Sequence, residues 1–292
     1  MTKVYVAGEA LIDLVNVGGS RTAHVGGGPA NTAKALARLG VASYFVGGIS
    51  SDEYGALIEA ELLESGVDLS LVLRGDKPTA LANAVIDENG VASYSFELEG
   101  TTTFDFSSSW LPVGADVLHV GSLATLVEPG AKPLFEWVSG LGVPVVFDPN
   151  VRPSVLSDRE IYRAAVDKWI SISSVVKLSE DDLNWLYEDE SVIQGWLDSG
   201  VSLVVVTLGA AGIRAHGAGF EVTAPGAAVS LVDTVGAGDT VGAVLVEGLV
   251  KYGLSGLINS IVLHEVLERA VIAAGITCSR AGANPPWARE LD

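Results

Sequence analysis

The sequence predicts a parallel α/β fold with a small antiparallel flap. Three observations carry that prediction: short apolar runs that return along the chain, helix-like segments after most of them, and one hairpin signal that breaks the rhythm. The runs are "KVYVAGEA" (3–10), "SYFVGGIS" (43–50), "DVLHVGS" (116–122), "VPVVFDPN" (143–150), "SVVKLS" (174–179) and "LVVVTLG" (203–209). Their β-branched content and lack of strict alternation suit strands buried on both faces. Residues 29–39, "PANTAKALARL", open on Pro29 and stop at Gly40, the expected order for a helix. Residues 53–65 follow Asp52 and end at Gly66 in the same way. Strand–helix alternation of this kind argues for a parallel sheet with helices on both sides.

Residues 80–98, "ALANAVIDENGVASYSFEL", read as two strands around Asn89-Gly90, a strong hairpin signal. In the second arm Ala92, Tyr94, Phe96 and Leu98 alternate with Val91, Ser93, Ser95 and Glu97, as in a sheet exposed on one side. Together with "LVNVGG" (14–19), the hairpin is expected to form a lid. After residue 236 the pattern turns helical, over about 237–252 and 258–276, and ends in the loop "SRAGANPPW".

At 292 residues, with 49% apolar and 18% charged side chains, the chain can bury a large core. Its 17 cationic against 36 acidic residues give a net charge of −19. No basic run exists, so nucleic acid is not an expected partner. A nucleotide triphosphate would need local donors, helix ends or a metal against that charge. Cys278 is the only cysteine, which excludes an intrachain disulfide and a thiolate metal cluster. The N-terminal stretch holds Glu9 and Asp13 and lacks a signal-peptide pattern, and no uninterrupted apolar run has membrane length. A cytoplasmic protein without a membrane partner is expected.

The stretch "VDTVGAGDTVGA" (232–243) carries the chemistry. Gly236, Ala237 and Gly238 before a helix leave unpaired N–H groups aimed at one spot, where the helix dipole favours negative charge. Such an end can hold a phosphoryl group and stabilise charge developing on it. Asp239, in the first turn, is placed to accept a proton from an attacking hydroxyl. The alternative is that Asp239 only caps the helix while the glycines allow tight packing. A second cluster, "GGGPANTA" (26–33), opens the first helix, and its Asn31 offers a donor and an acceptor to a polyol. An ordinary helix-entry loop explains the same glycines. Asp13 follows the first buried run, where ligands of open α/β sheets bind, although loop aspartates are common there. "DPNVRP" (148–153) supplies Asn150 and Arg152, the latter suited to a phosphate or carboxylate or simply to the surface. The four histidines lack metal spacing and read as structural.

These elements, in this order, resemble the PfkB (ribokinase-like) family of carbohydrate kinases over nearly the whole chain. "GGGPANTAKALARLG" looks like the family's N-terminal signature and "DTVGAGDTVGA" like its C-terminal one. The resemblance implies a ribokinase-like three-layer fold over residues 1–292 as a single domain. The lid would comprise about 14–25 and 79–104 and serve in dimer contact. It implies ATP-dependent phosphorylation of a primary sugar hydroxyl with Mg²⁺. Asp239 would be the base and the backbone of Gly236, Ala237 and Gly238 the anion hole. Asp13, Gly27, Gly28 and Asn31 would hold sugar hydroxyls, with Phe96, Asn150 and Arg152 completing the sugar site. "VTLGAAG" resembles the nucleotide-binding turn, giving Thr207, Gly209 and Gly212, and "VKLSEDD" contributes Lys177 and Ser179 near the phosphates. Asp182 stands where a glutamate is usual, as an indirect Mg²⁺ contact. Asp233, Val235, Arg280 and Gly282 match loops where some relatives bind K⁺, mostly through backbone.

Gly28 replaces the lysine usual in ribokinases, so the resemblance favours fructose as substrate. Further readings are 2-keto-3-deoxygluconate, ribose, an aminosugar or a nucleoside. Glu97 and Glu99, expected to face the pocket, stand near where fructokinases often carry an arginine. Outside the class, the alternatives are a catalytically retired sugar- or nucleotide-binding regulator and a nicotinamide-dependent oxidoreductase. The latter is opposed by the lack of G-x-G-x-x-G after the first strand.

Overall fold

Each apolar run forms a strand because both of its faces find a hydrophobic partner. In β1 (Val4–Ala7), Val4 and Val6 enter one core while Tyr5 and Ala7 enter the other. The computed structural model describes residues 2–17, 20–86 and 92–291. The Asn89-Gly90 turn, Val91 and the Gly18-Gly19 pair lie outside the described residues.

The chain then runs through β2 (Leu11–Val17), β3 (Ser20–Gly26), α1 (Gly28–Arg38), β4 (Ser43–Val46), β5 (Gly48–Ser50) and α2 (Glu53–Glu64). Next come β6 (Leu73–Gly75), β7 (Leu81–Ile86), β8 (Ala92–Glu97), β9 (Val117–Gly121), α3 (Ala131–Leu141) and β10 (Val145–Asp148). The remainder is α4 (Arg159–Ile170), β11 (Val175–Ser179), α5 (Glu180–Tyr187), α6 (Val192–Asp198), β12 (Leu203–Thr207), β13 (Gly212–Gly217), β14 (Phe220–Pro225), α7 (Ala237–Leu257) and α8 (Ser260–Cys278).

The main sheet has the order β14-β13-β12-β11-β10-β9-β1-β4. It is parallel from β4 to β12, with an antiparallel edge hairpin, β13–β14, that the sequence reading did not single out. Helices α1, α7 and α8 supply the core on one face, and α3 to α6 supply it on the other. This is the expected three-layer α/β architecture. Residues 43–50 are not one strand: β4 joins the main sheet, whereas β5 leaves it to pair with β6. Chain order reverses at β1, whose neighbours are β4 on one side and β9 on the other. A crevice therefore opens beyond the carboxyl ends of β1 and β9.

The second sheet, β3-β2-β7-β8, stands where the lid was expected, but it is mixed rather than antiparallel: β2–β3 and β7–β8 are antiparallel hairpins, while β2 and β7, joined by a long crossover, run parallel. It begins at Leu11 rather than at residue 14, and its last strand ends at Glu97, with a 3₁₀ turn at Thr102–Phe104. Register puts Asp13, His24, Ala82 and Phe96 side by side on one face. Because strand side chains alternate, Glu97 points to the opposite face, where it accepts a hydrogen bond from Asn83 Nδ2 at 2.9 Å. The expectation that Glu97 faces the pocket is thereby corrected. Glu99 lies exposed beyond the last lid strand.

Helix α7 has the length and hydropathy of a membrane span, but it is a core helix, packed on α1 and α8. Its kink at Gly253 (φ +67°) explains why the helical pattern in the sequence fades after residue 252.

Candidate active site

Two helices begin at the crevice with no side-chain cap, α1 at Gly27 and α7 at Gly236. Gly236 adopts φ +79°, and a Cβ on it would stand 2.6 Å from that of Ala283. Conformation and space together demand glycine there. Among the described residues, the N–H groups of Gly236, Gly238 and Asp239 have no hydrogen-bond acceptor. The Ala237 N–H departs from expectation: it turns back to Thr234 O at 3.2 Å, because the first turn tightens toward 3₁₀ geometry. The free donors are therefore those on either side of it.

Asp239 stands in this first turn, half-buried, and its Oδ2 accepts a hydrogen bond from Asn31 Nδ2 at 2.9 Å. Asn31 Oδ1 is buried without a partner, an acceptor left over for a ligand. Burial raises the Asp239 pKa to about 6; Lys177, the Asn31 bond and Arg152 pull it down, while Asp148 pushes it up. A carboxylate so placed is ionised at neutral pH and remains basic enough to take a proton. Thr32 Oγ1 also donates to Asp239 O at 3.4 Å, so α1 and α7 are tied at their starts.

Gly28 is open for a different reason. A Cβ on it would lie 2.8 Å from Asn150 Nδ2, 3.2 Å from Asp239 Oδ1 and 3.5 Å from Ser122 Cβ. Those three side chains thus converge on one space in front of Gly28. Gly27, at φ +102°, abuts the Glu9 carbonyl. Asp13 is not at the end of a main-sheet strand, as the sequence suggested; it is the third residue of β2, at the root of the lid. Burial raises its pKa, while Arg152 and His24 lower it. Arg152 is exposed and donates to the carbonyls of Asn150 (3.4 Å) and Val151 (3.0 Å). Phe96 lies on the Asp13 face of the lid, half-buried.

Beneath α7, Lys177 Nζ pairs with Asp148 Oδ2 at 2.7 Å, both side chains only 6% exposed. Burial by itself would strip the charge from Lys177, yet Asp148, with Asp239 and Asp182, outweighs it and raises the pKa. Nζ would stand 2.8 Å from a Cβ on Gly238, so the ammonium group lies against the free N–H groups of α7. Ser179 and Asp182 form a capping box at the start of α5. Both Asp182 oxygens are engaged, Oδ2 by the Ser179 N–H (3.1 Å) and Oδ1 by the Val151 N–H (2.9 Å). Among the described residues no cluster of three or more His, Cys, Asp or Glu offers a metal cage. An Mg²⁺ ion that arrives with phosphate oxygens needs no such cage, since one or two carboxylates and water complete its shell.

Thr207 ends β12 and is in register with Ser179, at the same edge of the sheet. Gly209 (φ +55°) and Gly212 (φ +108°) shape the turn that follows. Asp233 joins the predicted cation-loop residues: Oδ1 accepts the Val235 N–H (3.0 Å) and Oδ2 the Gly282 N–H (2.9 Å). The Arg280 guanidinium instead pairs with Glu290.

Sequence reasoning missed Ser122 and Asp148. Asp148 stands in "DPNVRP" beside Asn150 and Arg152, the residues that the pattern singles out. Ser122 and Asn150 adopt φ of +60° and +41°, uncommon for non-glycine residues, and nothing in their sequence signals it.

Comparison with known proteins agrees with this geometry. The pfkB family carbohydrate kinase model matches residues 1–289. A fructokinase of Rhizobium leguminosarum bv. trifolii is 34% identical over 260 residues, covering 84% of this chain and 79% of the relative. A fructokinase of Escherichia coli is 31% identical over 265 residues, covering 87% and 86%. The solved fructokinase of Xylella fastidiosa with bound ATP superposes with a TM-score of 0.91 at 26% identity, covering 99% of this chain and 97% of that one. That of Vibrio cholerae O395 with fructose, ADP and calcium ion gives 0.83 at 29%, covering 97% and 94%. Both signatures, the sheet order and the matched length lead to one assignment: this chain is a member of the pfkB family of carbohydrate kinases.

Proposed function

We propose that the protein transfers the γ-phosphoryl group of ATP to a primary hydroxyl of fructose. The observation that carries this reading is the placement of Asp239: a carboxylate held by Asn31 in the first turn of α7, beside unpaired backbone N–H groups. The Asp239 carboxylate takes the hydroxyl proton as the sugar oxygen bonds to phosphorus and the bond to the ADP oxygen breaks. The N–H groups of Gly236 and Gly238, and the Lys177 ammonium, stabilise charge on the phosphoryl oxygens. Mg²⁺ carried in with the nucleotide would supply further neutralisation there. Asp13, Gly27, Gly28, Asn31, Asn150 and Phe96 form the sugar site, and Ser179, Thr207, Gly209 and Gly212 line the nucleotide side.

Fructose is favoured over a carboxylated sugar for two reasons. Relatives that cover most of the chain are fructokinases, and the lid row of Asp13, His24, Ala82 and Phe96 contains no arginine. The charge of the nearby Arg152 is answered by Asp13 and Asp239. The lid edge is proposed as a homodimer contact and the cytoplasm as the site of action; K⁺ bound at the Asp233–Gly282 loops would stiffen the start of α7. The test is ADP release from Mg·ATP with fructose, 2-keto-3-deoxygluconate, ribose, an aminosugar and adenosine, with and without K⁺. Fructose giving the highest kcat/KM supports the reading; another sugar winning by tenfold or more replaces the substrate; no turnover with any of them sinks the kinase reading.

A further inference from the structure

Three consecutive threonines, Thr101, Thr102 and Thr103, lie buried just past the last lid strand. Buried hydroxyls are costly unless bonded, and each of these is bonded. Thr101 Oγ1 donates to Leu98 O at 2.8 Å, and Thr102 Oγ1 donates to Lys77 O at 2.8 Å. Thr103 differs, because its Oγ1 both accepts and donates. It takes the Ala80 N–H at 3.1 Å and gives its proton to Ala10 O at 3.3 Å. Ala80 and Ala10, both fully buried, are the residues immediately before β7 and β2.

Register gives that bridge a meaning. The parallel pairing of β2 with β7 sets Ile12 against Leu81, and the Ile12 N–H donates to Ala80 O at 3.1 Å. In a parallel ladder every second residue of one strand bonds the two residues that flank its partner, so the next rung would run from the Ala80 N–H to Ala10 O. Thr103 Oγ1 occupies that rung, one oxygen between a donor and an acceptor that would otherwise meet. The two strands are therefore held apart at their roots by a side chain from a third segment. The β7 root is itself anchored. Asp52 accepts the Thr79 N–H (2.8 Å) and hydroxyl (2.7 Å) while it caps α2 through the Gly55 N–H (2.7 Å).

We propose that Thr103 is a positioning residue of the sugar site, its hydroxyl spacing the root of β2 from that of β7 and so fixing where Asp13 meets the substrate. The inference rests on the sugar-kinase reading and adds a residue to it. Asp13 and Phe96 ride on this sheet, whereas Asn31 and Asp239 stand on α1 and α7 and Thr207 on the main sheet. Without the hydroxyl, two buried backbone groups lose their partner. They regain one by closing on each other, which draws β2 toward β7 and moves Asp13 relative to Asp239.

The test uses Thr103→Val, which keeps the shape and deletes the hydroxyl, and Thr103→Ser, which keeps the hydroxyl and deletes the methyl. Thr102→Val, in the same turn but off the β2–β7 ladder, is the control. Initial rates of ADP release are measured over sugar and ATP series, beside thermal melts. Thr103→Val is expected to raise the KM for sugar about tenfold or more, with kcat and the KM for ATP within about threefold of wild type. Thr103→Ser and Thr102→Val are each expected to keep the sugar KM within about threefold, whatever their melting temperatures. An unchanged sugar KM in folded Thr103→Val overturns the proposal. So does a rise of about tenfold in Thr103→Ser, or a rise in Thr102→Val equal to that in Thr103→Val. Should Thr103→Val not fold, Thr103→Ala makes the same comparison against Thr103→Ser. A wild-type protein without sugar-dependent turnover removes the kinase reading itself, a separate outcome from these.

Discussion

Replacing Gly28 with alanine tests the sugar site with the smallest perturbation available. The new methyl group would stand 2.8 Å from Asn150 Nδ2 and 3.2 Å from Asp239 Oδ1. Heavy atoms in ordinary contact sit roughly 3.5–4.0 Å apart, so the Asn150 amide must move by about 0.7 Å or more. The methyl also takes the space in which a sugar hydroxyl would meet both Asn150 and Asp239. Losing one or two such hydrogen bonds, each worth about 1 kcal/mol, together with the displaced amide, comes to about 2–3 kcal/mol. That is a loss of roughly 30- to 150-fold in kcat/KM for sugar. Gly28 is helical and outside the left-handed region, so folding should not suffer; alanine is the better helix former. Initial rates of ADP release over a fructose series, beside a thermal melt, give both quantities. A sugar kcat/KM within threefold of wild type refutes the convergence argument, and so does a loss that follows only from a lowered melting temperature.

Asp239 makes a two-sided pH prediction. As the base it must be ionised, so kcat/KM for sugar should fall about tenfold per pH unit below pH about 6, the value to which burial raises it. Its stability effect has the opposite sign: the native state holds the proton more tightly than the unfolded chain, so stability present below pH about 4 is lost as pH rises through 6. Asp239→Asn should therefore be more stable than wild type at pH 8, by on the order of 3 kcal/mol, with the gap closing near pH 4 in denaturant titrations. Lys177→Met leaves Asp148 buried and unpaired, which should cost about 3–5 kcal/mol; adding Asp148→Asn should recover most of that without restoring turnover. Arg38→Ala removes hydrogen bonds to Asn284 Oδ1 (2.6 Å) and Pro285 O (2.8 Å) and a contact with the Trp287 ring. Stability should drop by about 1–3 kcal/mol, the C-terminal segment should become sensitive to protease, and turnover should fall because Ala283 no longer backs Gly236.

The strands and the two signature helices were legible because their signals are local. Pro29 and Gly40 bracket α1, Asp52 accepts the Gly55 N–H as a cap should, and the buried runs place their β-branched residues on two cores at once. Failures came where position depends on distant partners. The chain 43–50 splits because β5 pairs with β6, a choice made by residues 73–75. Glu97 turns away from the site because β8 pairs with β7 in a register fixed across the whole lid. The glycine stretch was correctly read as a helix start, but the Ala237 N–H turns to Thr234, a detail of one tightened turn. Asp182 reads from sequence as an indirect Mg²⁺ contact; that it also accepts the Ser179 and Val151 amides, the second thirty-one residues away along the chain, no local pattern signals. Ser122 was silent because a single serine acquires meaning only when β9 and β10 become neighbours.

The account stands on Asp239 as the base. The most direct measurement is sugar-dependent ADP release by wild type and Asp239→Asn under saturating fructose and Mg·ATP, with nucleotide binding measured in parallel. The account predicts a kcat reduced by roughly 10²- to 10⁴-fold in the variant, with nucleotide affinity unchanged. A variant that keeps its kcat within tenfold of wild type contradicts it.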